Sequence, residues 1–454
     1  MGEVSLDIPL RNNLLAGLCA LALGGMSIPA LANEEPLPDA EAATGAVATP
    51  ASGQMPAAEE DYFYPQLHIG TMSPQGEMEE DAAEARRMFR TETWMQPWFD
   101  WKQQFRENTG LTIGGSYGIV AQGYSTSPID QTFAIGHKFT FNLGYELLNK
   151  GQPDALVFEM AIEDRRALNS DLPPLFAGIR AGSMLPTAAT WGSIDLGVTQ
   201  AYLRQSLFKN RFQYSVGRIF APNFVNSFPL FDDNRQFFNQ TFSTGPSIQS
   251  PLRGFGMVAA WFPTKGGLYL QSGMYGANSR DTGNTISDFF GKSEHFYHLD
   301  VGWSGLAGRG VPIHARGPMD SNNFHVTAWY RNAQENGTPQ SEGIAFNANW
   351  MAKDNVMVFV RGGWSDGWAI KRNLTTGLGW RPANAPADLF GVGIGWAEPE
   401  NPGLRTQYST EIFYRFHVTP HFAITPDLQM IVDPALSPGE SLLFVTGLRA
   451  RLAF

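Results

Sequence analysis

The sequence predicts an all-β fold: a transmembrane antiparallel β-barrel of about 16 strands behind a short helical N-terminal segment. Three observations carry this. From Leu111 onward, apolar side chains recur with period two in stretches of about ten residues, the signature of a strand that crosses lipid. Of 454 residues, 43% are hydrophobic and only 17% are charged, with 48 glycines and 32 phenylalanines; soluble proteins run near a quarter charged. No internal apolar run reaches the ~18 residues of a membrane-spanning helix, which excludes a helical transporter.

The N-terminus reads as a secretory signal peptide over residues 1–32. Arg11 precedes an apolar stretch from Leu14 to Ile28, and Ala30-Leu31-Ala32 supplies a small-residue cleavage site. Its removal takes Cys19, the only cysteine, so no disulfide or thiol chemistry is expected. Export and strand pattern together point to the outer membrane of a Gram-negative bacterium. Residues 33–76 are rich in Ala, Pro and Glu and read as a flexible linker. Residues 77–110 hold two short helices, periplasmic or plug-like. The first runs from Glu77 to Phe89, with acids early and Arg86 and Arg87 late, as the helix dipole prefers. The second runs from Met95 to Asn108, with Pro97 in its first turn and Gly110 ending it.

Residues 111–454 form the barrel. Phe139, Phe141, Leu143, Tyr145 and Leu147 alternate with small or polar residues, as do Leu156, Phe158, Met160 and Ile162. Period two sets one series on each face of a sheet. Strands are expected at about 111–122, 136–148, 154–163, 194–206, 210–219, 255–263, 266–276, 296–304, 322–332, 341–351, 355–365, 373–381, 388–397, 406–418, 420–432 and 442–454. Short connections such as 149–153 alternate with long ones at 164–193, 220–254 and 277–295, as turns at one rim alternate with loops at the other. The connection 305–321 is too long for its place. Parity slips near Gln200, which predicts a bulge. Closure removes every open edge, because lipid permits no unpaired backbone. Most of the Phe and Trp is expected to face lipid and its interfaces.

The charge is unevenly spread. Residues 1–110 hold 17 acidic and 6 basic side chains, and residues 111–454 hold 26 of each. The net charge of −11 therefore belongs to the front end. An acidic chain with a pI near 5.3 argues against a nucleic-acid partner, and its neutral body favours an uncharged solute over an ion.

The body resembles the carbohydrate-selective porin family (OprB-type). The resemblance rests on Gly217-Arg218 followed by FAPNFVNSFPLFDDNRQFFNQTF to Phe242, on EIFYRF, ITPDLQMIVDP and GLRARLAF at the carboxy end, and on WFDWKQQFRENTGLTIGGSYG from Trp98 to Gly118. It covers about residues 94–454. It implies a sixteen-stranded outer-membrane barrel that passes monosaccharides by diffusion. Phe454, ending an apolar strand, resembles the signal read by the barrel-assembly machinery. The expected partners are small sugars, outer-membrane lipid and lipopolysaccharide, with a homotrimer or a monomer both open. The acidic arm lies outside the family pattern.

Sixteen strands leave room for an aqueous channel, and whatever lines its narrowest point sets selectivity. The loop at about 220–254 is the candidate constriction. Asp232, Asp233, Asn234 and Arg235 lie beside Phe237 and Phe238. A sugar presents hydroxyl edges and C–H faces, and forked or paired polar groups beside aromatic rings meet both. Arg165 lies at a strand mouth, and Arg218 sits in the family-like Gly-Arg segment. Parity sends Glu159, Glu163, Arg361, Glu411, Arg415, Arg449 and Arg451 inward. Such charges either touch solute or hold the loop. Trp191 is either a stacking face or an interface-belt residue. No catalytic residues, cofactor or metal are expected. His295 and His298 have no clear third ligand, and neither a G-x-S-x-G nor a P-loop occurs. Two other functions remain open: a structural barrel whose acidic arm binds a periplasmic partner, and a porin for an amino acid or anion.

Overall fold

The structure, a computed structural model, describes residues 64–67, 71–88, 94–306 and 322–454. The chain divides into two units, Met1–Ala58 and Glu59–Phe454. The first unit, and with it the expected signal peptide and most of the expected linker, lies outside the described residues. So does nearly all of the long 305–321 connection.

Period-two sequence becomes strand throughout. The strands are β1 Leu111–Tyr124, β2 Phe133–Leu148, β3 Leu156–Ala167, β4 Ile194–Leu207, β5 Phe212–Phe220, β6 Arg253–Trp261, β7 Leu268–Gly276 and β8 His295–Ser304. They continue as β9 Asn323–Arg331, β10 Ser341–Lys353, β11 Val356–Asp366, β12 Ile370–Trp380, β13 Leu389–Pro399, β14 Gln407–Thr419, β15 Phe422–Val432 and β16 Leu442–Ala453. Each pairs antiparallel with its sequence neighbours, and β1 closes on β16 from Ser116↔Ala453 to Tyr124↔Val445. The result is a sixteen-stranded closed barrel in simple meander order. The bulge expected near Gln200 is present: Ala161 pairs with Gln200 but Ile162 with Val198, leaving Thr199 unpaired in the register.

The two faces separate as alternation requires. Along β14, Tyr408, Ile412 and Phe416 are exposed on the outside, while Ser409, Glu411, Phe413, Arg415 and His417 are buried inside. Trp261, Trp303, Trp350, Trp364 and Trp380 also face out. The expectation for the aromatics holds only in part. Phe220, Phe228, Phe231, Phe237, Phe242, Phe359 and Phe413 form an apolar cluster inside the barrel. They pack an inserted loop against the wall, a use that strand parity alone does not reveal.

Two helices precede β1. The first, α1, runs from Pro74 to Arg87. Pro74 starts it, and the Ser73 hydroxyl accepts the Gly76 N–H at 3.0 Å, as an N-cap should. It begins inside the expected linker, so the structured arm starts earlier than composition indicated. The second, α2, runs from Gln96 to Thr109 and ends at Gly110, whose φ of 74° is the left-handed cap that glycine tolerates best. No residue of α2 is buried, and Trp98 and Trp101 stack on its surface 5.0 Å apart.

A test of the sidedness follows from β14. Ile412→Arg, near the middle of the strand on the lipid face, is expected to destabilise the barrel by ~2–4 kcal/mol, while Ile412→Leu at the same position costs less than about 1.5 kcal/mol. Urea unfolding in lipid vesicles measures both, and equal losses would contradict the assignment of faces.

Candidate constriction

The connection between β5 and β6, residues 221–252, folds into the barrel and is buried along almost its whole length. Its tip is set by local chemistry. The Asp232 carboxylate accepts the Asn234 N–H at 2.8 Å, and the Gln236 side chain accepts the Asp232 N–H at 2.8 Å. This is the turn that an Asp at its start favours. Asn239 then caps a one-turn helix, α3, at Gln240–Ser243, accepting from Thr241 N–H at 2.9 Å.

Wall charges hold this loop. The Glu411 carboxylate of β14 accepts the N–H groups of Phe238 and Asn239 at 2.6 and 2.9 Å. Arg449 of β16 donates to the carbonyls of Asp233 and Gln236 at 2.8 and 3.0 Å and lies 4.1 Å over the Phe238 ring. Arg361 of β11 donates to the carbonyls of Asn226, Thr244 and Phe242 at 3.0, 3.1 and 3.3 Å and sits 3.9 Å over Phe228. Charge-assisted bonds to buried backbone are the strong kind, and a guanidinium over a ring adds to them. The wall also makes space. A Cβ at Gly393 of β13 would stand 2.7 Å from Phe242, so any larger residue there would push the loop off the wall.

The sequence-predicted residues therefore fall into groups. Arg361, Glu411 and Arg449 face inward as expected, but the loop backbone engages both Glu411 oxygens, both Arg361 Nη atoms and Arg449 Nη1. Phe237 corrects an expectation: it is fully buried, edge-on to Phe413 and Phe359 with centroids 5.0 and 5.8 Å away, and shows no ring face to the bore. Asp233 is bonded to Thr190 through the backbone N–H at 2.5 Å and the hydroxyl at 2.6 Å. It thus ties the constriction to the 168–193 loop. Trp191 is buried in that loop and donates to the Asp233 carbonyl at 3.3 Å, so it is not an interface-belt residue. Glu159 pairs with Arg204 and accepts from the Tyr202 hydroxyl at 2.7 Å. Glu163 pairs with Arg165 and, at 3.4 Å, with Arg253. Arg218 is a second correction. Gln213, Ser215 and Ile219 set the inner face of β5, so Arg218 points away from it. Its guanidinium binds the carbonyls of Thr199, Arg280 and Gly283 near one rim.

Asp232, Asn234 and Arg235 lie at the helix α1, which the sequence predicts without naming its contacts. Helix α1 lies inside the barrel, with Glu77, Glu80 and Glu84 among its buried residues. Its leading segment bonds to β5, where Leu67 N–H donates to Gln213 at 2.7 Å, and to β4, where Gln200 donates to the Met72 carbonyl at 3.0 Å. Glu77 accepts from Asn142 of β2 at 3.0 Å and from Asn234 of the loop at 3.4 Å. Arg235 donates to the Glu77 carbonyl at 2.9 Å and to Asp81 at 2.8 Å, pairs with Asp232, and lies 3.6 Å from Glu80. Arg451 of β16 forks onto Asp81 at 2.6 and 3.0 Å. Arg415 of β14 pairs with Glu84 at 2.6 Å, and His417 lies 3.4 Å from the same carboxylate. The helix thus forms a chord across the bore, from the β2–β4 wall to the β14–β16 wall.

The acids of α1 feel opposed forces. Burial raises the Glu77 and Glu80 carboxyls, and the neighbouring Arg235 only partly offsets it. Burial also acts on Asp81, but Arg235 and Arg451 outweigh it and hold the carboxyl below its usual range. At Glu84 burial is again outweighed, here by Arg415 and the hydrogen bond to His417, which hold it well below. Asp81 and Glu84 are therefore the charged anchors of the helix.

Comparison with known proteins places this geometry. A family model described as "Carbohydrate-selective porin, OprB family" matches residues 130–454. The high-pH structure of Pseudomonas putida OprB covers 81% of this chain and 100% of its own, with a TM-score of 0.65 at 18% identity. The low-pH structure of the same protein covers the same shares, with a TM-score of 0.50 at 16% identity. These likenesses establish the fold. Porin AaxA of Chlamydia trachomatis serovar A is 25% identical over 202 residues, 41% of this chain and 42% of that protein. The match thus spans less than half the length of that relative.

The loop anchor is open to test. Glu411→Ala leaves two buried N–H groups without their carboxylate, a loss of ~1.5–3 kcal/mol for a bond to a charged group. Trypsin is expected to cut after Arg235 faster in this variant while the barrel keeps its heat-modifiable gel mobility. Unchanged cleavage would contradict the anchoring role.

Proposed function

We propose that this chain, which belongs to the OprB family of carbohydrate-selective porins, lets small sugars diffuse passively across the outer membrane of a Gram-negative bacterium. Monosaccharides such as glucose are the preferred size. The observation that carries this reading is the loop 221–252, folded inward and fixed to the wall, within the region that matches the family. A barrel of this strand number without an inserted loop leaves a wide aqueous channel. With the loop, solutes pass a narrow zone of hydrogen-bonding side chains, and such a zone selects by fit as well as by size. Asp232, Asn234 and Arg235 at the loop tip are the groups we assign to sugar hydroxyls. Glu159 and Glu163, with their arginine partners, line the opposite wall.

The remaining assignments rest on the same reading. The strand ending at Phe454 serves recognition by the barrel-assembly machinery, and the exposed aromatic surface meets lipid and lipopolysaccharide. A structural barrel that recruits a periplasmic partner through its acidic arm is less favoured. The carboxylates of Glu77, Glu80, Asp81 and Glu84 are already engaged inside the barrel.

Liposome swelling tests the reading. Proteoliposomes are expected to admit glucose faster than an amino acid of smaller mass, and both faster than a disaccharide. Entry rates that depend on solute size alone would remove carbohydrate selectivity.

A further inference from the structure

The arginines inside the barrel differ in what neutralises them. Arg204, Arg165 and Arg253 pair with wall carboxylates, Glu159 and Glu163. Arg361 and Arg449 donate to loop carbonyls. Arg415 and Arg451 are different. Among the described residues, their carboxylate partners are Glu84 and Asp81, both on α1. Arg235 has Asp232 from its own loop, but its further acids, Glu80 and Asp81, also come from α1. A cavity at this junction is lined by Asp81, Glu84, Asn234, Arg235, Arg415 and His417, among others. Arg415 is 1% exposed, and its Nε and Nη1 find no hydrogen-bond acceptor in the described residues. A guanidinium buried with donors to spare, next to a cavity, is arranged for a planar anion.

Without α1, these three arginines would face the bore with a single carboxylate, Asp232, between them. Asn142 and Asn234, whose amides donate to Glu77, would be free to meet hydroxyls. We propose that Arg235, Arg415 and Arg451 form a carboxylate-binding site in the constriction, which α1 occupies in this structure with Asp81 and Glu84 in place of solute. The solute class it takes is an acidic sugar, a carboxylate carried beside hydroxyl groups. The proposal rests on the porin reading and narrows its substrate. The carboxylates of α1 and of the solute compete for the same forks, so the helix is a displaceable stopper and the acidic sugar is what displaces it. Neutral sugars pass during the openings that the helix makes unaided, and only the acidic sugar makes those openings more frequent.

Planar-bilayer recording on the full mature chain tests this, with gluconate as the acidic probe and glucose as the neutral one. Asp81→Asn with Glu84→Gln is expected to raise mean conductance several-fold and shift the reversal potential in a salt gradient toward anion selectivity. Millimolar gluconate is expected to raise the open fraction of the unaltered protein, and equal glucose is not. Arg415→Gln with Arg451→Gln should lose the rise in open fraction that gluconate gives the unaltered protein. Heat-modifiable mobility establishes that each variant is folded, and the gluconate experiment on the unaltered chain needs no variant. The proposal is overturned if gluconate and glucose act alike on the unaltered protein, or if the acidic pair can be neutralised without changing selectivity. Glucose flux without a gluconate effect would overturn the acidic site and leave the porin reading standing. Flux of neither sugar through any variant would overturn both.

Discussion

The interior of this barrel is organised around one buried cation. Arg235 is 1% exposed at the tip of the inserted loop, among Asp232, Glu80 and Asp81. A charge withdrawn from water is tolerated only when it is paired and hydrogen-bonded. Asp232 supplies one partner from three residues earlier in the same turn, and α1 supplies the others. The loop tip and the helix are therefore conditions for each other. Arg451 and Arg415 extend the same arrangement to the wall, so that loop, helix and barrel share one charge network.

Shape and charge divide the work of placing the loop. The aromatic cluster around Phe237 supplies apolar burial, and Gly393 yields the space that Phe242 occupies. Glu411, Arg449 and Arg361 then fix the register of the loop by bonding its backbone. An apolar wedge alone could slide along the wall. Directional bonds to individual N–H and C=O groups prevent that. This explains why so many inward charges do not touch the bore. Arg361, Glu411 and Arg449 are mortar between wall and loop, Glu159 and Glu163 pair with arginines of the wall, and Arg415 and Arg451 bond α1.

Much of this was legible in the sequence. Alternation fixes the face of a side chain, so the inward set from Glu159 to Arg451 could be named before any coordinates, as could the bulge beside Gln200 and the Gly110 cap. Alternation says nothing about what meets an inward side chain. Hence Phe237, expected to offer a ring face, is buried by its own loop, and Arg218, singled out by the Gly-Arg segment of the resemblance rather than by alternation, points away from the inner face of β5. The helix α1 is itself expected, either periplasmic or plug-like, and what the sequence leaves open is its partners. Glu77, Glu80, Asp81 and Glu84 lie on consecutive turns, but the arginines of β14, β16 and the loop that meet them are distant in sequence. The neutrality of residues 111–454 is likewise an average over segregated charge: the basic end of the constriction is balanced by acids that precede the barrel.

The central claim is that α1 is seated in the bore by its carboxylates. Hydrogen exchange read by mass spectrometry on the reconstituted protein tests it most directly. The amides of residues 77–87 are expected to exchange as slowly as those of the neighbouring β2 and β14 strands, and Arg451→Gln should speed them without affecting the strands. Exchange of these amides at the rate of an unstructured peptide in the unaltered protein would contradict the account.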